Sequence, residues 1–575
     1  MLMRFHIVLV CIATMIAIPS ARADDVPRTP QAVPSEIARL LHKDTVAFVY
    51  ISSAVEFAQA LQDIASHAYP KGADAMKGEL NATSLLGSLV LTKNKIMVDQ
   101  PIGIGYWGTE ADNDMPYAVV FRVEGASPQT VMAKGKGRRL MFLEGTDWVA
   151  VSNASASWSP APANAPRPSI VENMLSGQCV VSFDQAAWLG SASEQSINAQ
   201  LKTQLKGSFD AAMEEAVISL IDDYVHGFTR WDFAVEAGDG DLTFDARYVP
   251  TADSRFAITG TPDLVQLGHR LPGQLAFQSV ISTAYMTTAL EITKPLVIAQ
   301  AGKDRQLAKR LLDDMSRLIA TQSVGSGLSI GMSEYGLDLA QILRVDDAAQ
   351  TLGLIDEYIE DINAAKAGVH YKRMRVLVGG DSSRLWEVTF DKKEMKEANP
   401  ALAALVDADF MEMVANLDEG KMYLRVISNG NWMAVVAGEP KLLGRMRRAL
   451  SQPSAFNPNL DHIGADTEGD LVMAMSLDLR SLFNGMLAYV HAHPSEIKKE
   501  WRSMNARNVI SQLKPIPGPP AAMSMSVASA TGGSVMSRFV FDVQQIGEMC
   551  WTIYGNFMDA AMADSTSTPV EKSDK

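Results

Sequence analysis

Residues 231–248, WDFAVEAGDGDLTFDARY, carry the pattern that decides the fold. Apolar and polar residues alternate through 231–236 and again through 242–248, with Gly and Asp at 238–241 between them. A period of two places successive side chains on opposite faces of a strand, and Gly and Asp favour tight turns. The stretch therefore predicts an antiparallel β-hairpin with one face on a core and the other polar.

The same kind of hairpin occurs three more times along the chain. It pairs residues 101–106 with 117–123, 328–332 with 337–345, and 523–527 with 535–543. Strands that come in hairpins with helical segments between them favour an α+β fold with antiparallel sheets over a parallel, doubly wound fold.

A second type of hairpin occurs twice with matching side chains. Residues 142–151, FLEGTDWVAV, resemble residues 426–435, VISNGNWMAV, and the shared Trp-x-Ala-Val places Trp148 and Trp432 at equivalent positions. Asn429-Gly430 predicts a type I′ turn, which needs positive φ at both central residues.

Buried strands that run into amphipathic helices form the third recurring element. They are residues 46–51 into 54–64 and 275–277 into 285–301, with variants starting at Cys179 and Leu471. Each precedes one of the four hairpins, so the sequence predicts two tandem halves, each a pair of duplicated strand-helix-hairpin units. The halves are 33–260, with a Pro/Ala/Ser-rich linker at 154–168, and 271–561, followed by a disordered tail at 562–575.

The first 23 residues have the features of a cleaved signal peptide. A basic start at Arg4, a short apolar run and the small-x-small site before Asp24 predict cleavage after Ala23. We therefore expect an exported chain, periplasmic or extracellular, with no transmembrane segment after cleavage.

Net charge limits the partners of the mature chain, and cysteine content limits its disulfide bonds. Loss of residues 1–23 removes Arg4, Arg22 and no acid, so the net charge of −15 falls by two to −17. This charge disfavours nucleic acid as a partner. Cys179 and Cys550 are the cysteines that remain, so the protein is not a disulfide scaffold, and the sequence leaves open whether they pair.

Two motifs suggest chemistry, and each has a structural alternative. Residues 327–331 fit the G-x-S-x-G pattern of a nucleophilic serine, but their alternation predicts a strand that continues into another strand rather than into a helix. His491 and His493 are weak candidates for a metal site, because residues two apart on a helix point in different directions. The acidic loops around 112–114, 239–241 and 466–470 are predicted to be turns.

Duplication without a catalytic constellation favours a non-enzymatic, exported binding or scaffolding protein that uses no cofactor. Its partner would be a protein, a peptide or an apolar ligand, with Trp148 and Trp432 as candidate binding residues. Two alternatives stay open, and the first of them is enzymatic. One is a hydrolase of the cell envelope, with or without metal at His491 and His493, and the other is an assembly or chaperone-like factor that acts through sheet edges.

Overall fold

A computed structural model gives the fold of most of the chain. It describes residues 32–68, 86–107, 116–135, 137–153, 159–207, 210–238, 240–273, 275–375, 383–398, 421–454, 457, 460, 469–493, 512–530 and 533–567. The predicted signal peptide, the first residues of the 154–168 linker and the acidic loop at 112–114 lie outside these ranges.

The described residues contain twenty strands, and their bounds in chain order are as follows. They are β1 Thr45–Ile51, β2 Val90–Thr92, β3 Ile102–Trp107, β4 Tyr117–Arg122, β5 Val131–Ala133, β6 Arg139–Phe142, β7 Trp148–Ser152, β8 Cys179–Asp184, β9 Phe228–Gly238, β10 Asp241–Pro250, β11 Phe277–Ser282, β12 Gln322–Ser333, β13 Gly336–Val345, β14 Val369–Arg373, β15 Ser383–Phe390, β16 Lys421–Asn429, β17 Trp432–Ala437, β18 Asp470–Asp478, β19 Ala522–Ser529 and β20 Val535–Asp542.

Helices separate these strands. They are α1 Ser35–Leu40, α2 Ala54–Ala68, α3 Gln185–Trp188, α4 Ala192–Leu205, α5 Ala211–His226, α6 Leu264–Gly268, α7 Thr283–Gln300, α8 Arg305–Ala320, α9 Ala348–Ala365, α10 Lys392–Glu397, α11 Pro440–Ser451, α12 Leu479–Ala492 and α13 Val543–Ser567, with short 3₁₀ turns at Ser169–Val171 and Gly302–Asp304. Helix α13 includes residues 562–567, which the sequence analysis assigns to the disordered tail.

The chain divides into two compact units, which we describe separately. The N-terminal unit comprises the described parts of Ala17–Ala257 and Ser529–Gln544, and the C-terminal unit those of Ile258–Ala528 and Gln545–Lys575. The segment Ser529–Gln544, which contains β20, therefore lies in the N-terminal unit, although the sequence analysis assigns it to the second half.

The N-terminal unit is built on one antiparallel sheet. Its strand order is β6-β7-β4-β3-β1-β8-β9-β10-β20, and β2 and β5 form a separate pair. The hairpin predicted from residues 231–248 is present, with Tyr248 opposite Trp231 and Leu242 opposite Ala237. The mixture of helices and antiparallel strands confirms the α+β fold class.

The polar face of this hairpin is covered, contrary to the simple alternation. Asp232 is fully buried, and its carboxylate accepts hydrogen bonds from Arg230 Nε at 3.0 Å and from Arg247 Nε at 2.9 Å. Ser182 Oγ on β8 donates to the same carboxylate at 2.5 Å. Two guanidinium groups therefore compensate the buried charge, as a desolvated carboxylate requires.

Glycines in β3 allow helix α1 to pack directly on this sheet. A Cβ atom on Gly103 would lie 2.6 Å from Ile37 Cγ2, and one on Gly105 would lie 2.6 Å from Leu41 Cδ2. Both distances are shorter than a van der Waals contact, so the close approach requires residues without a side chain. Ile37 and Leu41 are buried in a core cluster with Phe48 on β1.

The strands of the C-terminal unit are also antiparallel, and eight of them follow the order β14-β15-β16-β17-β13-β12-β11-β18. Leu264 of α6 and Leu442 of α11 belong to the core cluster that includes Ala434 of β17. Helix α7 packs against β11 and β12, and α8 and α9 follow it in the helical layer. The order β7-β4-β3-β1-β8 in the N-terminal unit thus has the same form as β17-β13-β12-β11-β18 here.

The turn between β16 and β17 differs from its prediction. Asn429 pairs with Trp432, so Gly430 and Asn431 are the central residues. Gly430 has φ of +58°, while Asn431 is not among the described non-glycine residues with positive φ. A positive φ at the first central residue alone is the type II′ pattern, so the predicted type I′ turn is wrong. Gly430 is thus the first central residue of the turn, whereas the prediction made it the second.

Candidate binding site

Trp148 lies where a core strand meets the surface of the N-terminal unit. It begins β7, it is 7% exposed, and its cross-strand partner on β4 is Arg122. The central carbon of the Arg122 guanidinium is 5.8 Å from the centroid of the Trp148 ring. This distance is within the range of a cation–π interaction.

A surface cleft of about 570 Å³ opens beside this pair. Its walls come from the first turn of α1, the end of β4 and the turn between β6 and β7. They consist of Glu36, Arg122, Gly125, Ala126, Gly145, Thr146, Asp147 and Trp148. The volume is in the range of small-molecule and side-chain binding sites, which is about 300–1,000 Å³.

Hydrogen bonds hold the charged wall of the cleft in place. Asp147 Oδ2 accepts from Arg122 Nη2 at 3.2 Å, and Asp147 Oδ1 accepts from the Gly125 amide at 3.0 Å. Arg122 Nη1 also donates to Gln100 Oε1 at 3.2 Å. Glu36 adds a second carboxylate, so two acids and one base leave the lining with a formal charge of −1.

Trp432 has the same local arrangement in the C-terminal unit. It begins β17 opposite Arg344 of β13, and the guanidinium carbon of Arg344 is again 5.8 Å from the ring centroid. The backbone also matches, because Val345 N donates to Asn431 O at 2.8 Å and Val123 N donates to Asp147 O at 3.0 Å.

The two tryptophans differ in what covers the ring. The guanidinium carbon of Arg270 lies 4.0 Å from the Trp432 centroid. Arg270 Nη1 is held there by the carbonyl oxygens of Ala449 and Leu450 at the end of α11, at 2.6 and 2.9 Å. Burial, and secondarily the charge of Arg344, lower the pKa of Arg270 from its ordinary value. The C-terminal unit thus supplies its own cation to the tryptophan ring.

Both tryptophans are predicted from the sequence repeat, but their arginine partners are not. The signal is nevertheless present, because residues 121–124 read FRVE and residues 343–346 read LRVD, each at the end of a predicted hairpin. Pairing the Arg-Val-acid segment with the Trp-x-Ala-Val strand requires the strand order of the sheet, which the sequence pattern alone did not provide.

The predicted metal ligands do not converge in the described structure. Helix α12 continues to Ala492, His491 is exposed on it, and His493 stacks on Tyr489 with ring centroids 4.6 Å apart. His493 Nε2 lies 2.9 Å from the carbonyl oxygen of Glu334. Within the described ranges, no group of three or more His, Cys, Asp or Glu side chains is arranged to hold a metal ion.

The remaining candidate residues have structural surroundings. Ser329 is fully buried within β12, and its Oγ lies 3.4 Å from the carbonyl oxygen of Pro272, as expected for a strand residue. Cys179 and Cys550 are both free thiols, and burial raises the pKa of Cys179.

A second cleft, of about 490 Å³, runs along α5. Its lining is one face of that helix, made of Ala211, Glu214, Glu215, Ile218, Ser219, Asp222 and Asp223. Asp222 forms an ion pair with Lys202 at 3.6 Å, and Asp223 forms one with Arg255. The cleft has no aromatic or basic side chain in its lining, so the Trp148 cleft is the better candidate for specific recognition.

Comparison with known proteins gives no assignment: no protein-family model, no curated protein and no solved structure matches the chain. Across the residues that the structure describes, no helix has the length and apolar character needed to cross a bilayer.

Proposed function

We propose that the protein is an exported, non-enzymatic binding protein that holds its ligand in the Trp148 cleft. The observation that carries the proposal is the cleft itself, in which an aromatic ring, a guanidinium and two carboxylates meet at the end of a rigid sheet. A few polar groups beside an aromatic surface are typical of sites that orient a ligand. Arg122 and Trp148 lie on strands, Glu36 lies on α1, and Asp147 is fixed by two hydrogen bonds, so these groups are pre-organised.

The proposal includes tandem duplication as the origin of the cleft. The two units share a strand order, an Arg–Trp pair at 5.8 Å and a matching backbone hydrogen bond before each tryptophan. The N-terminal copy differs in the cleft beside its tryptophan, which is lined by Arg122, Asp147 and Glu36.

Sheet edges offer weaker support for the alternative of strand pairing with client proteins. Strand β14 is bonded on one side to β15 and exposes Lys372 and Arg373. Charged residues on an edge strand oppose pairing with a further strand.

The binding proposal is tested with a ligand screen by NMR, followed by amide hydrogen exchange of the bound protein. We expect hits that protect the amides of residues 121–126 and 143–148. Ala126→Trp fills the cleft and should abolish these hits, whereas Ala199→Trp, on an exposed position of α4, should leave them unchanged. Absence of hits, or hits that survive Ala126→Trp, would overturn the proposal.

The export part of the proposal has its own test. The mass of the protein from its native cell should correspond to a chain that begins at Asp24. A chain that still contains residues 1–23 in a soluble cellular fraction would contradict it.

A further inference from the structure

The small sheet formed by β2 and β5 presents a pair of apolar side chains to solvent. Leu91 and Met132 are cross-strand partners, and they are 53% and 62% exposed. Their neighbours Val90 and Val131 are buried in a core cluster of the N-terminal unit. Side chains alternate between the two faces of a strand, so one face of the small sheet is anchored in the core and the other is open.

Basic residues flank this apolar pair. The segments 86–98 and 131–143, which contain β2 and β5, include no Asp or Glu, although the chain has a net charge of −15. Because the strands are antiparallel, the positions two residues after Leu91 and two residues after Met132 lie at opposite ends of the pair. Both positions are lysines. We define the β2–β5 patch as the apolar pair together with the described bases of the two segments, which are Lys93, Lys95, Lys134, Arg138 and Arg139.

Acidic side chains do not neutralise the patch. Its three lysines and Arg139 are exposed, and none of them forms an ion pair with a described residue. Arg138 is held by carbonyl oxygens, because its Nη1 donates to Ser88 O at 3.1 Å and to Lys134 O at 2.8 Å. The exposed acid Glu124 is adjacent, since its amide donates to Lys95 O at 3.0 Å. Five bases and this one acid leave a formal charge of +4.

We propose that the β2–β5 patch docks the protein on the surface of an anionic phospholipid bilayer. Clusters of about four to eight Lys and Arg residues are typical of segments that bind anionic lipid headgroups. The bases contact headgroup phosphates, while Leu91 and Met132 enter the boundary between headgroups and acyl chains. The patch does not line the Trp148 cleft, so the inference goes beyond the proposed function and does not depend on it.

The composition of the patch favours lipid over other anionic partners. Lysine is depleted in protein–protein interfaces, yet three of the five bases are lysines. Proteins that bind single-stranded nucleic acid stack bases on aromatic side chains, and the patch contains none. A bilayer offers both partners that the patch needs, phosphate for the bases and hydrocarbon for Leu91 and Met132.

The negative charge of the whole chain does not prevent this contact. The Debye length at physiological ionic strength is about 8 Å, so exposed charges farther than this from the bilayer are largely screened. The charge of the patch therefore determines the attraction. Salt at about 1 M shortens the screening length to about 3 Å, so the attraction should be lost there.

The test is flotation of the full mature chain with lipid vesicles. Vesicles of phosphatidylcholine alone are compared with vesicles that also contain phosphatidylglycerol, at about 0.1 M and about 1 M salt. We expect binding to the anionic vesicles at low salt, and a partition coefficient at least about tenfold lower on pure phosphatidylcholine or at high salt. Glycerol phosphate serves as a competitor, and binding to soluble polyglutamate is measured in parallel.

Matched double variants test the bases. Lys93→Gln with Lys134→Gln should lower the partition coefficient about twentyfold, because each base near an anionic surface contributes about fivefold. Lys303→Gln with Lys309→Gln makes the same change of net charge at exposed positions of the C-terminal unit, and should have little effect.

A second set of double variants tests the apolar pair. Leu91→Thr with Met132→Thr keeps a high β-propensity in both strands and should weaken vesicle binding about tenfold, because two exposed apolar side chains no longer enter the bilayer. Phe557→Gln with Met558→Gln removes two exposed apolar side chains from α13, and should have no effect because residues 543–567 include acids and no base. Thermal unfolding of each double variant confirms that the chain is folded.

Each contrary outcome has a definite meaning. No binding to anionic vesicles, equal effects of the two lysine pairs, or unchanged binding after Leu91→Thr with Met132→Thr would overturn the proposal. Vesicle binding abolished by glycerol phosphate would indicate a site for free phosphate, and polyglutamate bound as tightly as vesicles would indicate an acidic protein. Either result would overturn the lipid surface as the partner.

The experiment also separates this inference from the proposed function. Ala126→Trp fills the Trp148 cleft and should leave vesicle binding unchanged, and loss of vesicle binding in this variant would overturn the patch as the docking surface. Vesicle binding that fails while ligands from the screen still bind the cleft would overturn this inference alone. Vesicle binding without any ligand in the cleft would overturn the proposed function alone.

Discussion

The buried carboxylate of Asp232 should be strongly coupled to its arginines. It has no exposed surface, and Arg230 and Arg247, at 18% and 21% side-chain exposure, donate to it from the same sheet face. Removing one partner of a buried ion pair costs about 3–5 kcal/mol, because the other charge is left desolvated and unpaired. We expect Asp232→Ala to lower the free energy of unfolding of the N-terminal unit by about that amount.

A double-mutant cycle isolates the interaction. Asp232→Ala, Arg247→Ala and the double variant are compared by urea unfolding and by exchange of the β9 and β10 amides, with an expected coupling energy of about 2 kcal/mol. The exposed pair Lys202–Asp222, with 51% and 42% exposed side chains, is the control and should give less than about 1 kcal/mol. Salt should weaken the control pair only. An Asp232–Arg247 coupling energy no larger than that of the Lys202–Asp222 surface pair would refute the reasoning.

Three further outcomes follow from the packing. Gly105→Ala should lower the free energy of unfolding by about 1–3 kcal/mol, measured by thermal unfolding, because the new Cβ overpacks against Leu41. Gly238→Ala, with no atom within 4 Å of the new Cβ, is the control and should not destabilise the protein. Arg270→Ala should destabilise the C-terminal unit by about 2 kcal/mol in urea, since a cation–π contact and two hydrogen bonds are lost; an unchanged midpoint would argue against it. Burial raises the pKa of Tyr224 from 10.0 to about 12, so the unfolded state holds fewer protons between these pH values and stability should fall as pH rises through this window. Ultraviolet titration of tyrosinate checks this, and ionisation of all tyrosines near pH 10 in the folded protein would contradict it.

Local patterns predicted the elements well because hairpins are local structures. The hairpins at residues 101–123, 231–248 and 328–345 are confirmed, with the expected partners in register. Helix α2 likewise follows β1 where the amphipathic pattern begins. In each case the alternation and the turn residues lie within one short stretch of chain.

Features that depend on contacts between distant parts of the chain could not be predicted from local sequence patterns. The burial of Asp232 depends on Arg247 across the hairpin and on Ser182 of β8, and a strand pattern alone places it on a polar face. Arg122 and Trp148 meet because β4 and β7 are neighbours, although two strands intervene in the sequence. The candidate site is therefore half predictable: its aromatic residues follow from repetition, and its charges follow from strand order.

The position of β20 in the N-terminal unit bears on how the protein is made. Arg538 of β20 pairs with Asp245 of β10, 293 residues earlier in the chain. At about 5–20 residues per second, a ribosome needs roughly 15–60 seconds to synthesise that interval. During this time β10 is an unpaired edge, able to join the wrong strand of its own chain or of another. A gene fragment that stops near residue 257 would keep this edge open permanently, so the N-terminal unit should be expressed with residues 529–544 supplied on a linker or as a separate peptide.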